Sequence, residues 1–203
     1  MAAMTWVAAV ALVTATAMPA AAQALQGAEL LAALRAGGYV IYFRHADTDH
    51  SRQDQPPVNL EDCATQRLLS EKGRANSRAI GEAIRALDVP IGPVLASPLC
   101  RTVETAVLAF GSAEKSMATR EGGPEPVGSP GRYAALRALL STPPPLGKNT
   151  AIIGHGYPYY TLIGKGQMLE EGEAAIVRPR GTSFEEVARL GLKQWRELGG
   201  LSR

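Results

Sequence analysis

The stretch Tyr39–His45 (YVIYFRH) sets five aromatic or β-branched residues directly before an arginine and a histidine. This run is too short for a helix and is apolar on both faces, which is typical of a strand buried on both sides of a sheet. Ligands of open α/β sheets bind beyond the carboxyl ends of the strands. The stretch therefore predicts a buried strand and places Arg44 and His45 where a binding site would form.

The same arrangement occurs twice more along the chain. The apolar run Val94–Ala96 leads into Ser97–Arg101 (SPLCR), and Thr150–Ile153 leads into Gly154–Gly156 (GHG). Helices are predicted at residues 28–36, from the capping residue Ser70 through Leu87, at 98–110, at 132–140 and around Trp195. Further strands are predicted at Ala174–Val177 and Glu186–Leu190, and the segment near Met117 is compatible with another short one. Strands that alternate with helices in this way predict a three-layer α/β/α sandwich with a mostly parallel central sheet.

Composition narrows the classes of function. The chain has 203 residues, 21 Lys and Arg against 19 Asp and Glu, and 46% hydrophobic residues. That length fits one domain with a substantial core. A net charge of +2 and only 5% aromatic residues argue against nucleic acid as the partner.

The N-terminal 24 residues have the composition of a signal peptide. No charge precedes Glu29, and an apolar run (residues 6–13) is followed by small residues around Ala22. This pattern predicts cleavage after Ala22 or Ala24, which leaves a single domain over residues 25–203. We expect that domain to be exported to the periplasm and to have no stable association with the membrane. A retained membrane helix is the alternative, but Thr14, Thr16 and Pro19 interrupt the stretch, and about 20 strongly apolar residues are needed to span a bilayer.

Cys63 and Cys100 are the only cysteines. In an exported protein a single pair favours a disulfide bond, and two buried free thiols are the alternative. The bond would close a loop of 37 intervals (100 − 63).

Arg44, His45, Arg101 and His155 all follow the carboxyl ends of predicted strands and are expected to converge. Guanidinium and imidazole groups together favour a phosphate group, which arginine can bind through two parallel hydrogen bonds. Taken singly, Arg101 could pair with Glu104 on the helix surface, and His155 could be a turn residue. Arginine or histidine residues follow each of three predicted strands, and this agreement favours one shared site over separate explanations for each residue.

Four segments together resemble the histidine phosphatase superfamily, which has the phosphoglycerate-mutase-like fold. They are FRHADT (Phe43–Thr48), LSEKG (Leu69–Gly73), ASPLCRTVETA (Ala96–Ala106) and IIGHG (Ile152–Gly156), in the family's order. The resemblance spans about residues 39 to 178 and is closer to the family's small phosphatases than to its longer mutases. Ala46 and Asp47 depart from the residues more common in the family at these positions.

The resemblance implies that His45 is the nucleophile and that Arg44, Arg101 and His155 bind the phosphoryl group. A neutral imidazole attacks phosphorus while donors already in place take up the charge on the oxygens. No metal or other cofactor is then required, because guanidinium and imidazolium supply the positive charge. Arg67 is a candidate substrate contact, with a surface arginine as the alternative.

The general acid that protonates the leaving alkoxide is a Glu after the third strand in many relatives. Glu121 is the nearest candidate, and Asp47, Asp49 and Glu173 are rivals. A solvated loop charge is the alternative for Glu121.

These expectations combine into a metal-independent phosphomonoesterase that acts on a small phosphorylated substrate through a phosphohistidine on His45. Two alternatives stay open at this point. One is a phosphotransferase or mutase of the same fold, and the other is a catalytically silent protein that binds phosphate or a phosphosugar.

Overall fold

The computed structural model describes residues 24–122, 126, 129, 131–164, 166–198 and 200. Residues 1–23 of the predicted signal peptide, with the predicted cleavage site after Ala22, lie outside this part. Of the predicted segment, only Ala24 is described. No helix in the described part is both long and apolar enough to cross a bilayer.

A six-stranded sheet forms the centre of the molecule, with strand order β3-β2-β4-β1-β5-β6. The strands are β1 (Val40–Arg44), β2 (Ile91–Ala96), β3 (Glu114–Lys115), β4 (Asn149–Gly154), β5 (Ala174–Pro179) and β6 (Phe184–Leu190). The first four run parallel to one another, whereas β5 pairs antiparallel with β1 and β6 pairs antiparallel with β5. The predicted mostly parallel sheet is therefore confirmed, and β1 lies inside it between β4 and β5.

Helices cover both faces of the sheet. They are α1 (Gly27–Ala36), α2 (Glu71–Ala86), α3 (Cys100–Phe110), α4 (Ala134–Ser141), α5 (Gly156–Ile163) and α6 (Leu192–Leu198). Alternate residues of β1 serve the two layers, because successive side chains of a strand point to opposite faces. Ile41 and Phe43 belong to the core formed with α1, α2, α3 and α6, whereas Val40 and Tyr42 belong to the core formed with α4 and α5. This confirms the three-layer α/β/α sandwich.

Helix ends follow the local chemistry of the sequence. The side chain of Ser70 accepts a hydrogen bond from the amide of Gly73 and caps α2, and Gly111 ends α3 with a positive φ of 86°. The short strand predicted near Met117 lies slightly earlier, at β3 (Glu114–Lys115). Met117 itself begins a single 3₁₀ turn (Met117–Thr119), and the edge strand β3 ends before it after two residues paired with β2.

A disulfide bond joins Cys63 and Cys100, whose Cα atoms lie 5.7 Å apart. Cys63 lies in a 3₁₀ turn (Cys63–Thr65) of the long loop after β1, and Cys100 is the first residue of α3. The buried side chain of Gln66 strengthens this junction, since it accepts a hydrogen bond from the amide of Cys100 at 2.9 Å and donates one to the carbonyl of Asn59 at 2.7 Å. The loop is thus fixed to the start of α3.

Removal of the disulfide should destabilise the fold through the unfolded state. Closing a loop of 37 residues restricts the unfolded chain, which corresponds to about 3–4 kcal/mol in the chain-entropy model. We expect the Cys63→Ser/Cys100→Ser variant to unfold about 10 °C below the oxidised parent, as followed by circular dichroism. The parent measured in a reducing agent is the control and should match the double variant. Equal transition temperatures for oxidised parent and variant would contradict the prediction.

Candidate active site

Two histidines meet at the carboxyl ends of the adjacent parallel strands β1 and β4. His45 follows β1 and His155 follows β4, and each side chain is no more than 2% exposed. Their ring centroids are 5.5 Å apart in an edge-to-face arrangement. The amide of His45 donates to the carbonyl of Gly154 at 3.0 Å, which extends the pairing of the two strands into the site.

The hydroxyl of Tyr42 fixes the backbone on which His155 is carried. It donates to the carbonyl of His155 at 2.8 Å and accepts from the amide of the same residue at 3.0 Å. Tyr42 is fully buried, and burial raises its pKa, so the hydroxyl keeps its proton. Gly154 makes room for this hydroxyl, since a Cβ there would collide with it.

His45 is held as one neutral tautomer. Its Nδ1 lies 2.9 Å from the carbonyl oxygen of Ala46, and because that oxygen can only accept, Nδ1 must carry the proton. The other nitrogen, Nε2, therefore keeps its lone pair. Burial lowers the pKa of His45 to about 4, and the positive charges of Arg101 and Arg44 act in the same direction. The imidazole is thus neutral at neutral pH.

His155 is also neutral. Burial lowers its pKa well below the ordinary value, and the neighbouring His45, Arg101 and Arg44 add to the effect. Its Nε2 lies 2.9 Å from the hydroxyl oxygen of Ser97.

Arg101 is the second residue of α3 and is only 2% exposed. Its Nη1 lies 3.1 Å from both carboxylate oxygens of Asp54, a residue of the disulfide-linked loop. Burial lowers the pKa of Arg101, and the charge of Asp54 counteracts this effect. The ion pair of Arg101 with Glu104 that the sequence left open does not form, because Glu104 binds Arg74 at 2.7 Å.

Arg44 is held in place by residues 169–171, in the segment before β5. It donates to the carbonyl of Leu169 at 2.8 Å, and its Nη2 is 3.4 Å from Glu171. The carboxylate of Glu171 also accepts from the amide and the hydroxyl of Thr48. Burial would raise the pKa of Glu171, but the hydrogen bonds from Thr48 and the charge of Arg44 outweigh it and lower the pKa. Glu171 is therefore a carboxylate that balances and positions Arg44.

Two buried nitrogens of the site have no hydrogen-bond partner in the described part of the chain. They are Nε of Arg101 and Nδ1 of His155. A buried polar atom without a partner is costly, so such atoms call for an explanation. Oxygen atoms of a phosphoryl group would satisfy both.

Glu121 is the carboxylate nearest to His155 among the candidates for the general acid. Its Oε2 is 3.5 Å from Nδ1 of His155, and its side chain is 44% exposed. The rivals are bound elsewhere: Asp47 by Lys72 and Asn76, Asp49 by Ser51, and Glu173 by the amide of Glu170. Burial raises the pKa of Asp47, but these two hydrogen bonds outweigh it and lower the pKa, so Asp47 is a poor proton donor.

Arg67 stands at the rim of the site. Its amide donates to Asp54 at 2.8 Å, and its Nη1 is 3.4 Å from Nδ1 of the exposed His50. No group of three or more metal-ligating side chains occurs within the described residues.

Sequence reasoning missed Asp54 and Glu171, the two carboxylates that balance the arginines. Asp54 lies in a loop without periodicity, so no pattern marked it. Glu171 belongs to the segment LEEGEA, in which only Glu173 was a candidate for the general acid. A buried arginine requires a carboxylate partner, and this rule is the one signal that could have prompted the search.

Solved structures share this fold over most of their length. SixA from Agrobacterium tumefaciens is 17% identical, with a TM-score of 0.51 over 76% of this chain and 98% of its own. The protein histidine phosphatase SixA in complex with tungstate is 22% identical, with a TM-score of 0.51 over 76% and 97%. A phosphoserine phosphatase mutant from Entamoeba histolytica in complex with phosphoserine is 14% identical, with a TM-score of 0.53 over 77% and 98%. At these identities the likeness concerns the fold alone.

No curated protein matches the sequence. The sequence profile of the histidine phosphatase superfamily (branch 1) matches residues 40–122, which include Arg44, His45 and Arg101. The fourth similar segment, IIGHG, lies outside that match, and the parallel pairing of β1 with β4 brings it to the same site. The sequence match over residues 40–122 and the shared fold together support the resemblance of this chain to the histidine phosphatase superfamily.

Proposed function

We propose that this protein is a phosphomonoester hydrolase that works through a phosphohistidine on His45 and without a metal ion. One observation carries the proposal. The Nδ1 proton of His45 is bound by the carbonyl of Ala46, which leaves Nε2 as a neutral nucleophile in a pocket with two arginines. A neutral imidazole of fixed orientation is what in-line attack on phosphorus needs.

The reaction would proceed in two transfers. The lone pair of Nε2 of His45 forms a bond to phosphorus as the ester P–O bond breaks, and Glu121 gives its proton to the leaving alkoxide. Arg44, Arg101 and Nδ1–H of His155 donate to the non-bridging oxygens throughout. Water then attacks phosphorus and gives a proton to the Glu121 carboxylate, the P–N bond breaks with its electron pair returning to Nε2 of His45, and inorganic phosphate leaves. The donors are in place before the reaction, so little reorganisation is needed.

The assignment of a proton to Nδ1 of His155 rests on Ser97. The hydroxyl oxygen of Ser97 lies 2.9 Å from Nε2 of His155, and we assign the hydroxyl as the donor of this hydrogen bond. A neutral imidazole carries one proton, which then resides on Nδ1. That atom is the buried donor without a partner, and it faces the same space as Glu121.

We also propose that the protein is exported. The disulfide bond supports this, because such bonds persist in oxidising compartments and are rare in the cytosol.

Loss of the nucleophile should abolish turnover. In excess chelator, we expect the mature protein to release phosphate from 4-nitrophenyl phosphate, and His45→Ala and His45→Gln to lose at least about 10³-fold in kcat. Inorganic phosphate should still bind to both variants, since the arginines remain. Unchanged turnover in the variants would refute His45 as nucleophile, and phosphate binding without any turnover of a substrate panel by the parent would favour a silent binding protein.

The neutral state of the two histidines can be observed directly. Because their pKa values are lowered, both rings stay unprotonated as the pH falls from about 8 to about 5.5, well above the value of about 4 for His45. We expect their Cε1–H chemical shifts to stay constant over this range in NMR spectra, with assignments from His45→Gln and His155→Gln. A titration of either ring near its ordinary pKa would contradict the proposed nucleophile state.

The role of Glu121 should depend on the leaving group. Glu121→Gln removes a proton donor, which matters for an alkoxide and little for 4-nitrophenolate. We expect kcat for an alkyl phosphate to fall about 100-fold, with a much smaller change for 4-nitrophenyl phosphate. Glu114→Gln, which alters the same charge on the exposed edge strand β3, is the control and should change neither rate. An equal loss on both substrates with Glu121→Gln would mean that Glu121 is not the general acid.

A further inference from the structure

Arg67 differs from the other two arginines of the site in its charge balance. Arg44 has Glu171 as a carboxylate partner and Arg101 has Asp54, whereas the guanidinium of Arg67 has no carboxylate within ion-pair distance in the described part of the chain. Its backbone is nonetheless fixed, because its amide donates to Asp54. The chain therefore holds a guanidinium with open donors at a defined place.

That place is the outer rim of the phosphoryl pocket. The positive charge of Arg67 is close enough to contribute to the lowered pKa of both Arg101 and His155. Its head group contacts His50, which is 66% exposed, whereas Arg101 and His155 are almost completely buried. Arg67 thus lies on the solvent side of the pocket, where the leaving group of a phosphomonoester would extend.

His50 completes a small polar surface beside Arg67. Its Nδ1 faces Nη1 of Arg67 at 3.4 Å, and its Nε2 is 3.5 Å from Oε2 of Glu171. Glu171 is already engaged by Thr48 and Arg44, so it balances Arg44 and not Arg67. A second anionic group on the substrate would supply the carboxylate-like partner that Arg67 lacks.

We propose that Arg67, with His50 beside it, forms a second anion subsite that selects phosphomonoesters whose leaving group carries a further acidic group. This deepens the proposed function and rests on it. The guanidinium fork binds a carboxylate or a second phosphate through two parallel hydrogen bonds, because each of these anions offers a pair of oxygens that accept them. The tethering of the loop by the disulfide and by Gln66 holds the fork in position without substrate.

A matched pair of non-hydrolysable probes separates this subsite from the phosphoryl pocket. Propylphosphonate and 3-phosphonopropionate have nearly the same shape and differ by a methyl against a carboxylate. We expect calorimetry to show about 10-fold tighter binding of 3-phosphonopropionate by the parent, as for one charged hydrogen-bonded pair. Arg67→Ala should remove this preference, so that the affinity for 3-phosphonopropionate falls about 10-fold further than the affinity for propylphosphonate. Arg78→Ala, which removes the same charge from an exposed site on α2, is the control and should keep the preference.

The other outcomes each overturn the proposal in a recognisable way. Equal weakening of both probes by Arg67→Ala would mean that Arg67 binds the phosphoryl group itself. No preference in the parent would mean that no second subsite exists. In that case the proposed function would still hold if propylphosphonate binds and turnover depends on His45. Failure of both probes to bind the parent would count against the phosphoryl pocket, and thus against both proposals. If 3-phosphonopropionate shows the preference, the bisphosphonate with a second phosphonate in place of the carboxylate distinguishes the two kinds of anion.

Discussion

The two hydrogen bonds between the Tyr42 hydroxyl and the backbone of His155 connect the middle strand of the sheet to the loop after its neighbour. Tyr42 belongs to β1, two residues before Arg44 and three before His45, so the same short strand carries the proposed nucleophile and the group that holds the opposite histidine. The tyrosine ring stacks on Tyr159 of α5 with ring centroids 4.8 Å apart, and this contact restricts the orientation of the ring that carries the hydroxyl. Positions on one rigid strand change little relative to each other, and this rigidity is what a preorganised site requires.

The charges of the site are arranged in pairs before any substrate binds. Burial of an arginine is costly unless a carboxylate accompanies it, and Asp54 and Glu171 meet this need for Arg101 and Arg44. The pairing leaves other donors of the same guanidinium open, as shown by the partnerless Nε of Arg101. Two carboxylates beside a phosphoryl pocket repel the anion to some extent. They also restrict the orientation of the two arginine side chains before a substrate binds.

The long loop after β1 acquires its order from contacts far along the chain. The disulfide bond, the buried Gln66 and the Asp54–Arg101 ion pair all fix it to the first turn of α3. Arg67 follows directly on this fixed segment. A loop held in this way can position a specificity residue as accurately as a strand does, even though its own sequence has no periodicity.

The sequence by itself determined the layers of the fold and the strand ends that bear Arg44, His45, Arg101 and His155. It could do so because buried strands in a parallel sheet produce short apolar runs, and because the carboxyl ends of such strands meet at one edge. Composition left Cys63 and Cys100 as the only possible pair, but the tertiary structure decided between a disulfide bond and two free thiols. Only the tertiary structure decided that Asp54 and Glu171 balance the arginines, that Glu121 and not Asp47 approaches His155, and that Arg67 keeps an open guanidinium. These four carboxylates and Arg67 lie in loops or next to them, where no repeating pattern relates sequence position to direction. Their placement depends on contacts between segments up to about 125 positions apart, as in Arg44 with Leu169 and Glu171, and such contacts form only when the whole chain packs.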